Sequence, residues 1–378
     1  MGRILGDVYL VGRGDPELSG RFADDLTRLG FEELAEALKA AGVRRIDGRL
    51  VGHEGLFTGA RRGSDWAWGD LVWRYGAEVS ALSFNDNSAL LTVYPGERAG
   101  DPVMVERFPE SRYYSVVTTA VTSPSGSGSD LELQRELGSN VVRLGGTMAA
   151  GGDPEELAVA VEDPARYAAT VFAEVLEAKG IRVAGGVATS SDPLPPGVRV
   201  LAGHDSPPLA EILKGVNKPS QNLHTEMLLR LLGARVKGAG TVEAGHAAVM
   251  EFLRRIGVNP QAWALQDASG LSRSDLVSPR EMVSLLAAMD RHRYGAAFKE
   301  SLPIAGVDGT LEHRMRGAAQ GRLVAKTGSI RHVNALGGYA NTRGGDRVAF
   351  AIVINHHTGE AKDAVAAIDQ IGNVLVGR

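Results

Sequence analysis

Apolar and polar positions along this chain alternate with two periods, and the changes of period mark its elements. Residues 3–12 (RILGDVYLVG) predict a strand, closed by Gly12-Arg13-Gly14-Asp15-Pro16. Residues 31–41 (FEELAEALKAA) carry apolar groups at helical spacing, and Gly42 is a C-terminal stop. Residues 43–95 read as β-rich, with Ser88–Tyr94 a β-branched run ended by Pro95. Residues 115–122 (SVVTTAVT) predict another strand. Residues 123–129 hold only Ser, Pro and Gly and read as a flexible loop, and strand-like pieces resume over 131–144. Asp163-Pro164 then opens a helix, with Asp as N-cap and Pro at the first position. Tyr167, Val171, Val175 and Leu176 line its apolar face, and Gly180 ends it.

The segment 192–197 (DPLPPG) favours an extended crossing and is the best boundary, which predicts two parts, 1–195 and 196–378. Past it the helices lengthen. Leu223, Met227, Leu228 and Leu231 share a face over 221–232; Val249, Phe252, Leu253 and Ile256 do so over 242–256, before Gly257. Ser278-Pro279-Arg280-Glu281 reads as a capping box that starts a helix reaching about Met289. Strand signals follow at 322–327, 336–341 and 347–355, then an amphipathic helix over about 360–376. No internal repeat is visible. The expected fold class is α/β: helices flanking a mostly antiparallel sheet, preceded by a β-rich region.

Composition narrows the function classes. At 44% apolar and 23% charged the chain is an ordinary globular sequence, which excludes general disorder. A net charge of −4 lacks the basic footprint of a nucleic-acid binder. Zero cysteines exclude disulfides, thiolate nucleophiles and Cys-based metal sites. No run approaches the roughly 18 apolar residues of a transmembrane helix, and Met1-Gly2-Arg3-Ile4-Leu5-Gly6-Asp7 does not read as a signal peptide because Asp7 interrupts any apolar core.

Several conspicuous residues have ordinary readings. The nine histidines form no HExxH pair, and His356-His357 reads as a polar loop rather than a metal site. Gly12-Arg13-Gly14 and Gly145-Gly146 lack the full GxGxxG spacing and read as turns. Trp66 and Trp68 alternate as on a strand, with Trp73 nearby, and read as core or domain-contact residues.

Two short motifs carry more. The first is Lys218-Pro219-Ser220-Gln221-Asn222-Leu223, with Ser220 at the mouth of an apolar-faced helix. The second is Ala325-Lys326-Thr327-Gly328-Ser329, at the end of a strand. Alone each is weak: Ser220 has a helix N-cap as its plain alternative, and K-T-G a strand end with a turn glycine. In sequence, S-x-N followed by K-T-G is the order of penicillin-interacting serine acyltransferases. The surroundings agree. VNKPSQNLHTEMLLRLLG (216–233), DASGLSRSDLVSPREMVSLL (267–286), LPIAGVDGTLEHRM (302–315) and GRLVAKTGSIRHVNALGGYANT (321–342) resemble the class C low-molecular-mass penicillin-binding proteins, D-alanyl-D-alanine carboxypeptidases and endopeptidases. YLVGRGDPEL (9–18), VRRIDGRLVG (43–52) and VSALSFNDN (79–87) resemble that family's inserted region.

The resemblance implies a penicillin-recognising, transpeptidase-like domain over 196–378, with inserted β-rich domains over 1–195. It implies peptidoglycan stem peptides and β-lactams as partners, no metal or other cofactor, and an envelope location, periplasmic or extracellular. Lys326 would supply a charge-assisted bond to the peptide's free carboxylate, joined by the hydroxyls of Thr327 and Ser329. Gly328 would let substrate backbone lie along the strand. Ser220 would relay a proton to the leaving amine, Asn222 would hold the acyl-side amide, and the Ser329 N–H would be one oxyanion donor. The Asp267-Ala268-Ser269-Gly270-Leu271 loop would play a supporting part.

One element is missing. The attacking serine of the family lies in S-x-x-K, and none of the eight lysines here has a serine three residues before it. The resemblance begins downstream of where that motif falls, so the chain is expected to start inside or just before the insertion, without nucleophile or base, and to be inactive as written. Without the preceding segments the second part should also expose apolar surface. Either the start is misassigned or the sequence cut, with S-x-x-K upstream in an exported peptidase, or the shortening is real and the protein is a non-catalytic binder of cell-wall peptides.

Overall fold

The computed structural model describes residues 2–19 and 29–377, which divide into two compact units, Met1–Ser206 and Pro207–Arg378. The division falls later than the proline-rich 192–197 segment. The segment and the residues after it stay with the first unit: His53 Nε2 contacts the carbonyl of Asp192, where the segment begins, at 2.8 Å, and His204 Nδ1, beyond its end, contacts Glu33 at 3.0 Å.

The first unit opens with β1 (Arg3–Ile4), β2 (Val8–Val11), α1 (Leu29–Ala40), β3 (Arg45–Ile46) and β4 (Leu50–His53). It continues through β5 (Ser88–Tyr94), β6 (Met104–Phe108), β7 (Ser115–Thr118), β8 (Val121–Ser123), β9 (Asp130–Gln134), β10 (Val141–Ala149) and β11 (Glu155–Ala160), then α2 (Pro164–Ala178), β12 (Arg182–Val183) and β13 (Val187–Ser190). The strand expected over 3–12 is two short strands separated by a bend. Three passes of chain bend together: β3 lies parallel between β1 and β12, and β4 parallel between β2 and β13. A Cβ on Gly48 would fall 2.4 Å from Gly6 backbone, and one on Gly185 would fall 2.5 Å from Gly48 backbone. Ion pairs Arg3–Asp47 at 2.6 Å and Arg49–Asp7 at 2.7 Å flank the bend.

The remaining strands form an antiparallel sheet, β11-β5-β6, and a second sheet in which β7 and β8 both lie parallel along β10 while β9 runs antiparallel on its other side. Residues 123–129 form an ordered turn, with Ser127 Oγ donating to the Pro124 carbonyl at 2.7 Å. Most of 54–87 is turns and irregular chain, so the β-rich reading of 43–95 holds only at β3, β4 and β5. Trp66 is buried, but Trp68 lies in a short 3-10 turn and is 78% exposed, so these tryptophans share no strand face.

Helix α2 is the spine of this unit. Tyr167, Val171, Phe172, Val175 and Leu176 are all buried, each worth roughly 1.5–3 kcal/mol of apolar burial. Phe31 stacks on Phe84 at 4.7 Å, and Phe84 meets Tyr167 edge-on at 5.5 Å. Asp163 precedes the helix with φ +51°, and its side chain makes no cap bond; its carboxylate lies 3.5 Å from both Arg61 and Arg166.

The second unit contains α3 (Leu209–Asn217), α4 (Asn222–Lys237), α5 (Val242–Arg255), β14 (Trp263–Ala264), β15 (Leu276–Val277), α6 (Pro279–Arg291), α7 (Gly295–Ser301), β16 (Leu323–Ile330), β17 (Val333–Asn341), β18 (Arg347–Asn355) and α8 (Ala361–Gly377). Ser278 caps α6 by accepting from the Glu281 N–H at 3.3 Å. β16, β17 and β18 form an antiparallel sheet. One cluster packs Leu323, Ala325, Leu336 and Phe350 with Ile368 and Val376 of α8; another packs Tyr339 with Leu286 and Leu302. β16 extends beyond the expected 322–327 because Gly328 continues the pairing, opposite Ala335. Val374 and Ile371 of α8 and Val236 and Leu232 of α4 stand exposed. Among the described residues no helix is long and apolar enough to cross a membrane.

Candidate active site

Ser220 lies in the turn between α3 and α4, a turn clamped by its neighbour. Lys218 Nζ donates to the Leu302 carbonyl at 2.9 Å and pairs with Asp308 at 2.6 Å, while the Lys218 carbonyl accepts from the Thr310 N–H at 3.0 Å. Ser220 adopts φ +64°, a left-handed conformation that a non-glycine residue holds only at a cost of about 1–2 kcal/mol. The N-cap of α4 is Gln221, so Ser220 is not the helix cap. Its Oγ instead accepts from Lys326 Nζ at 2.5 Å.

Lys326 reaches Ser220 from β16. Its ammonium also donates to the Thr327 carbonyl at 2.9 Å, and burial lowers its pKa to about 8. A lysine in that range is still mostly charged at neutral pH but can exchange its proton readily.

The outer edge of β16 is covered only at its start. The Ala325 N–H donates to the Pro303 carbonyl, and the Leu323 carbonyl accepts from Ala305, both at 2.9 Å. Strand alternation therefore turns the N–H and C=O of Thr327 and Ser329 to the same outer edge. No strand of the described residues pairs with that edge beyond Ala325. At Gly328 an added Cβ would meet only the Ala335 Cβ, at 3.8 Å, so packing within the chain does not require glycine there. The Thr327 and Thr310 hydroxyls lie 2.8 Å apart, and Ser329 Oγ accepts from Asn334 Nδ2 at 2.8 Å.

Asn222 is the first residue of α4, and its Nδ2 donates to the Ser269 carbonyl at 2.8 Å. The 267–272 loop that presents this carbonyl is held by carboxylates. Asp267 accepts from Ser269 Oγ at 2.6 Å and from the Gly270 and Ser272 N–H groups at 3.0 Å. Glu226, one turn along α4 from Asn222, accepts from the Ala268 N–H at 2.5 Å and the Ser269 N–H at 3.1 Å. Burial raises the pKa of Glu226. Burial, with Asp267 close by, raises that of Asp275 to about 7.

Of the six residues singled out in the sequence, Ser220 and Lys326 meet directly. Thr327, Gly328 and Ser329 continue the same strand, and Asn222 is aimed at Ser269 of the Asp267–Leu271 loop, to which the resemblance gives a supporting part. Thr310, Glu226 and Asn334 were not singled out. Each is a plain polar residue whose partner is set by a turn or by cross-strand register, and no local pattern marks it.

Residues 2–375 match the D-Ala-D-Ala carboxypeptidase 3 (S13) family. The chain belongs to that family. It is 37% identical over 372 residues to the D-alanyl-D-alanine carboxypeptidase of Actinomadura sp. (strain R39), a match covering 95% of this chain and 67% of that protein. It is 29% identical over 364 residues to D-alanyl-D-alanine carboxypeptidase DacB of Haemophilus influenzae, covering 94% of this chain and 73% of the relative. The crystal structure of penicillin binding protein 4 (dacB) from Haemophilus influenzae superposes with a TM-score of 0.84 at 27% identity, over 99% of this chain and 82% of that one. A second structure of that protein, complexed with a novel β-lactam, gives 0.76 at 25% identity and the same coverage. The S13 chain thus has the α/β penicillin-binding-protein fold, and its family and relatives are D-Ala-D-Ala carboxypeptidases, which are hydrolases.

Proposed function

We propose that Ser220, Asn222, Lys326, Thr327, Gly328 and Ser329 form the peptide-holding and proton-relay half of a serine DD-peptidase site. The observation that carries this is the Lys326 Nζ–Ser220 Oγ bond at 2.5 Å, joining motifs 106 residues apart. With one Ser220 lone pair filled by Lys326, the serine's own O–H is free to turn to a departing amine. Ser220 gives that nitrogen its proton and regains one from Lys326. Lys326 also attracts the carboxylate of a peptide ending in D-Ala-D-Ala, and the free edge of β16 accepts its backbone as an added strand. Thr327 and Ser329 offer hydroxyls to the same carboxylate, and the Ser329 N–H serves as one oxyanion donor. Asn222 holds the acyl-side amide. The substrates are peptidoglycan stem peptides, with β-lactams as competitors at the same edge, and the site of action is the cell envelope.

Acyl transfer also needs an activated nucleophile. None of the eight lysines follows a serine by three positions, so these 378 residues alone are proposed to bind peptide reversibly and to form no acyl-enzyme. That same observation favours the second reading, a peptide binder without turnover. Intact-mass spectrometry after incubation with excess penicillin tests the claim: no mass increase is expected, and a gain of one penicillin would overturn it. Calorimetry with a D-Ala-D-Ala peptide tests the site. Binding is expected for the native chain and is expected to vanish in Lys326→Met; equal affinity in both would discard the carboxylate role of Lys326.

A further inference from the structure

Behind the Ser329 hydroxyl stands a short hydrogen-bonded line that none of the motifs includes. Asn334 lies directly opposite Ser329 across the β16–β17 ladder and is 2% exposed. Its Nδ2 donates to Ser329 Oγ at 2.8 Å, and its Oδ1 faces His357 Nε2 at 2.8 Å. His357 Nδ1 faces the Gly359 carbonyl at 3.0 Å. Both ring nitrogens of His357 therefore point at oxygens that can only accept. Imidazolium is the form that donates from both.

We propose that His357 is a positioning residue whose protonation sets, through Asn334, whether Ser329 accepts or donates within the protein, and so whether its O–H is free for a substrate carboxylate. With His357 charged, Nε2–H donates to Asn334 Oδ1, Asn334 Nδ2 donates to Ser329 Oγ, and the Ser329 proton is left to point outward. When Nε2 loses its proton to solvent, its lone pair faces Asn334 Oδ1 and repels it. The amide turns over, Nδ2 donates to Nε2, and Oδ1 takes the Ser329 O–H for itself. Asn334 is buried, so it cannot trade these partners for water. Among the described residues, His332 on the β16–β17 turn stands against His357, its ring 6.2 Å away and its Nδ1 meeting the His357 carbonyl at 2.9 Å; along the chain Glu360 precedes α8 and Asp363 lies in its first turn.

This inference rests on the carboxylate-binding role given to Ser329 above, and the test separates the two. NMR of the nitrogen-15-labelled 378-residue chain follows the His357 ring and the Asn334 side-chain amide over about pH 5.5–7.5, within the range where histidines change charge. Expected are two protonated ring nitrogens at the acid end, loss of the Nε2 proton as pH rises, and an Asn334 amide that shifts in step. A ring that sheds the Nδ1 proton instead, or an amide that stays still, overturns the proposal.

Binding of a D-Ala-D-Ala peptide is measured in parallel. Affinity should fall about tenfold across that range, as loss of one hydrogen bond to a charged group implies. His357→Gln keeps a donor to Asn334 at every pH and should bind tightly throughout; Ser329→Ala should bind weakly throughout. A coupled His357–Asn334 titration with pH-independent affinity overturns the proposed link to substrate. A peptide that fails to bind at any pH condemns the site reading, and the spectra still decide the His357 switch.

Discussion

Ser220 and Lys326 each hold an unfavourable state that their contact maintains. For Ser220 the state is conformational. Glycine is at ease at φ +64° and alanine is not, so Ser220→Gly should be more stable than Ser220→Ala by about 1 kcal/mol, although both lose the hydroxyl. Urea denaturation of the two variants measures this, and equal midpoints would mean that the turn relaxes without the serine. For Lys326 the state is electrostatic. Its pKa is about 8 when folded against 10.5 for an ordinary lysine, so the unfolded chain binds more protons between those values and stability rises with pH through that window. Below it the buried charge is a constant penalty. Lys326→Met should therefore be more stable than the native chain at pH 7, by on the order of 2 kcal/mol, and should lose the rise. The chemistry of this pair was legible in the sequence as two motifs. Their contact was not, because nothing in either tripeptide sets the left-handed turn or the clamp from Lys218 to Asp308 that aims Ser220 at β16.

At the scale of elements, the site is a strand edge and a helix start joined by a carboxylate-held loop. Asp275 accepts from the Gln266 N–H at 2.5 Å and sits beside Asp267. Its pKa is raised from 3.8 to about 7, so the folded state binds the extra proton between those values and stability falls as pH rises through them. Asp275→Asn still accepts from Gln266 but cannot ionise. Its stability should change less between about pH 4 and 7, and an unchanged slope in thermal melts would remove Asp275 from the loop's titration. The long helices were legible from their apolar spacing: α8 buries one stripe, Ala364, Ile368, Gly372 and Val376, while α2 is buried over most of its surface and α6 buries only Leu286. Short elements were not. α3, α7 and the β14–β15 pair are too brief for a period to show, and β16 was cut short at Gly328 because glycine reads as a break when no partner strand is in view.

The whole molecule carries separate cores, one built on Phe31, Phe84 and Tyr167 in the first unit, another on Leu323, Leu336 and Ile368 in the second. Phe84→Ala should cost about 3–5 kcal/mol, and only in the first unit. Calorimetry should show one melting step moved down while the peptide-binding step, which belongs to β16, stays in place; a single shared shift would show that the units unfold together. At this scale the sequence said least. The parallel arrangement of β1, β3 and β12 brings β12 beside a strand more than a hundred residues earlier, and Trp68, a large apolar residue, stands mostly exposed.

The bend shared by those three passes limits how the first unit can change over time. A methyl group on Gly48 would run into Gly6 backbone and one on Gly185 into Gly48 backbone, whereas one on Gly6 would meet nothing within 4 Å, so the closed positions are Gly48 and Gly185. A mutation at one crossing cannot be relieved by a smaller neighbour, since the neighbour already has no side chain. Lineages of this protein are thus free to redesign their surfaces and much of their loops, but at this level of the sheet drift has no compensating path.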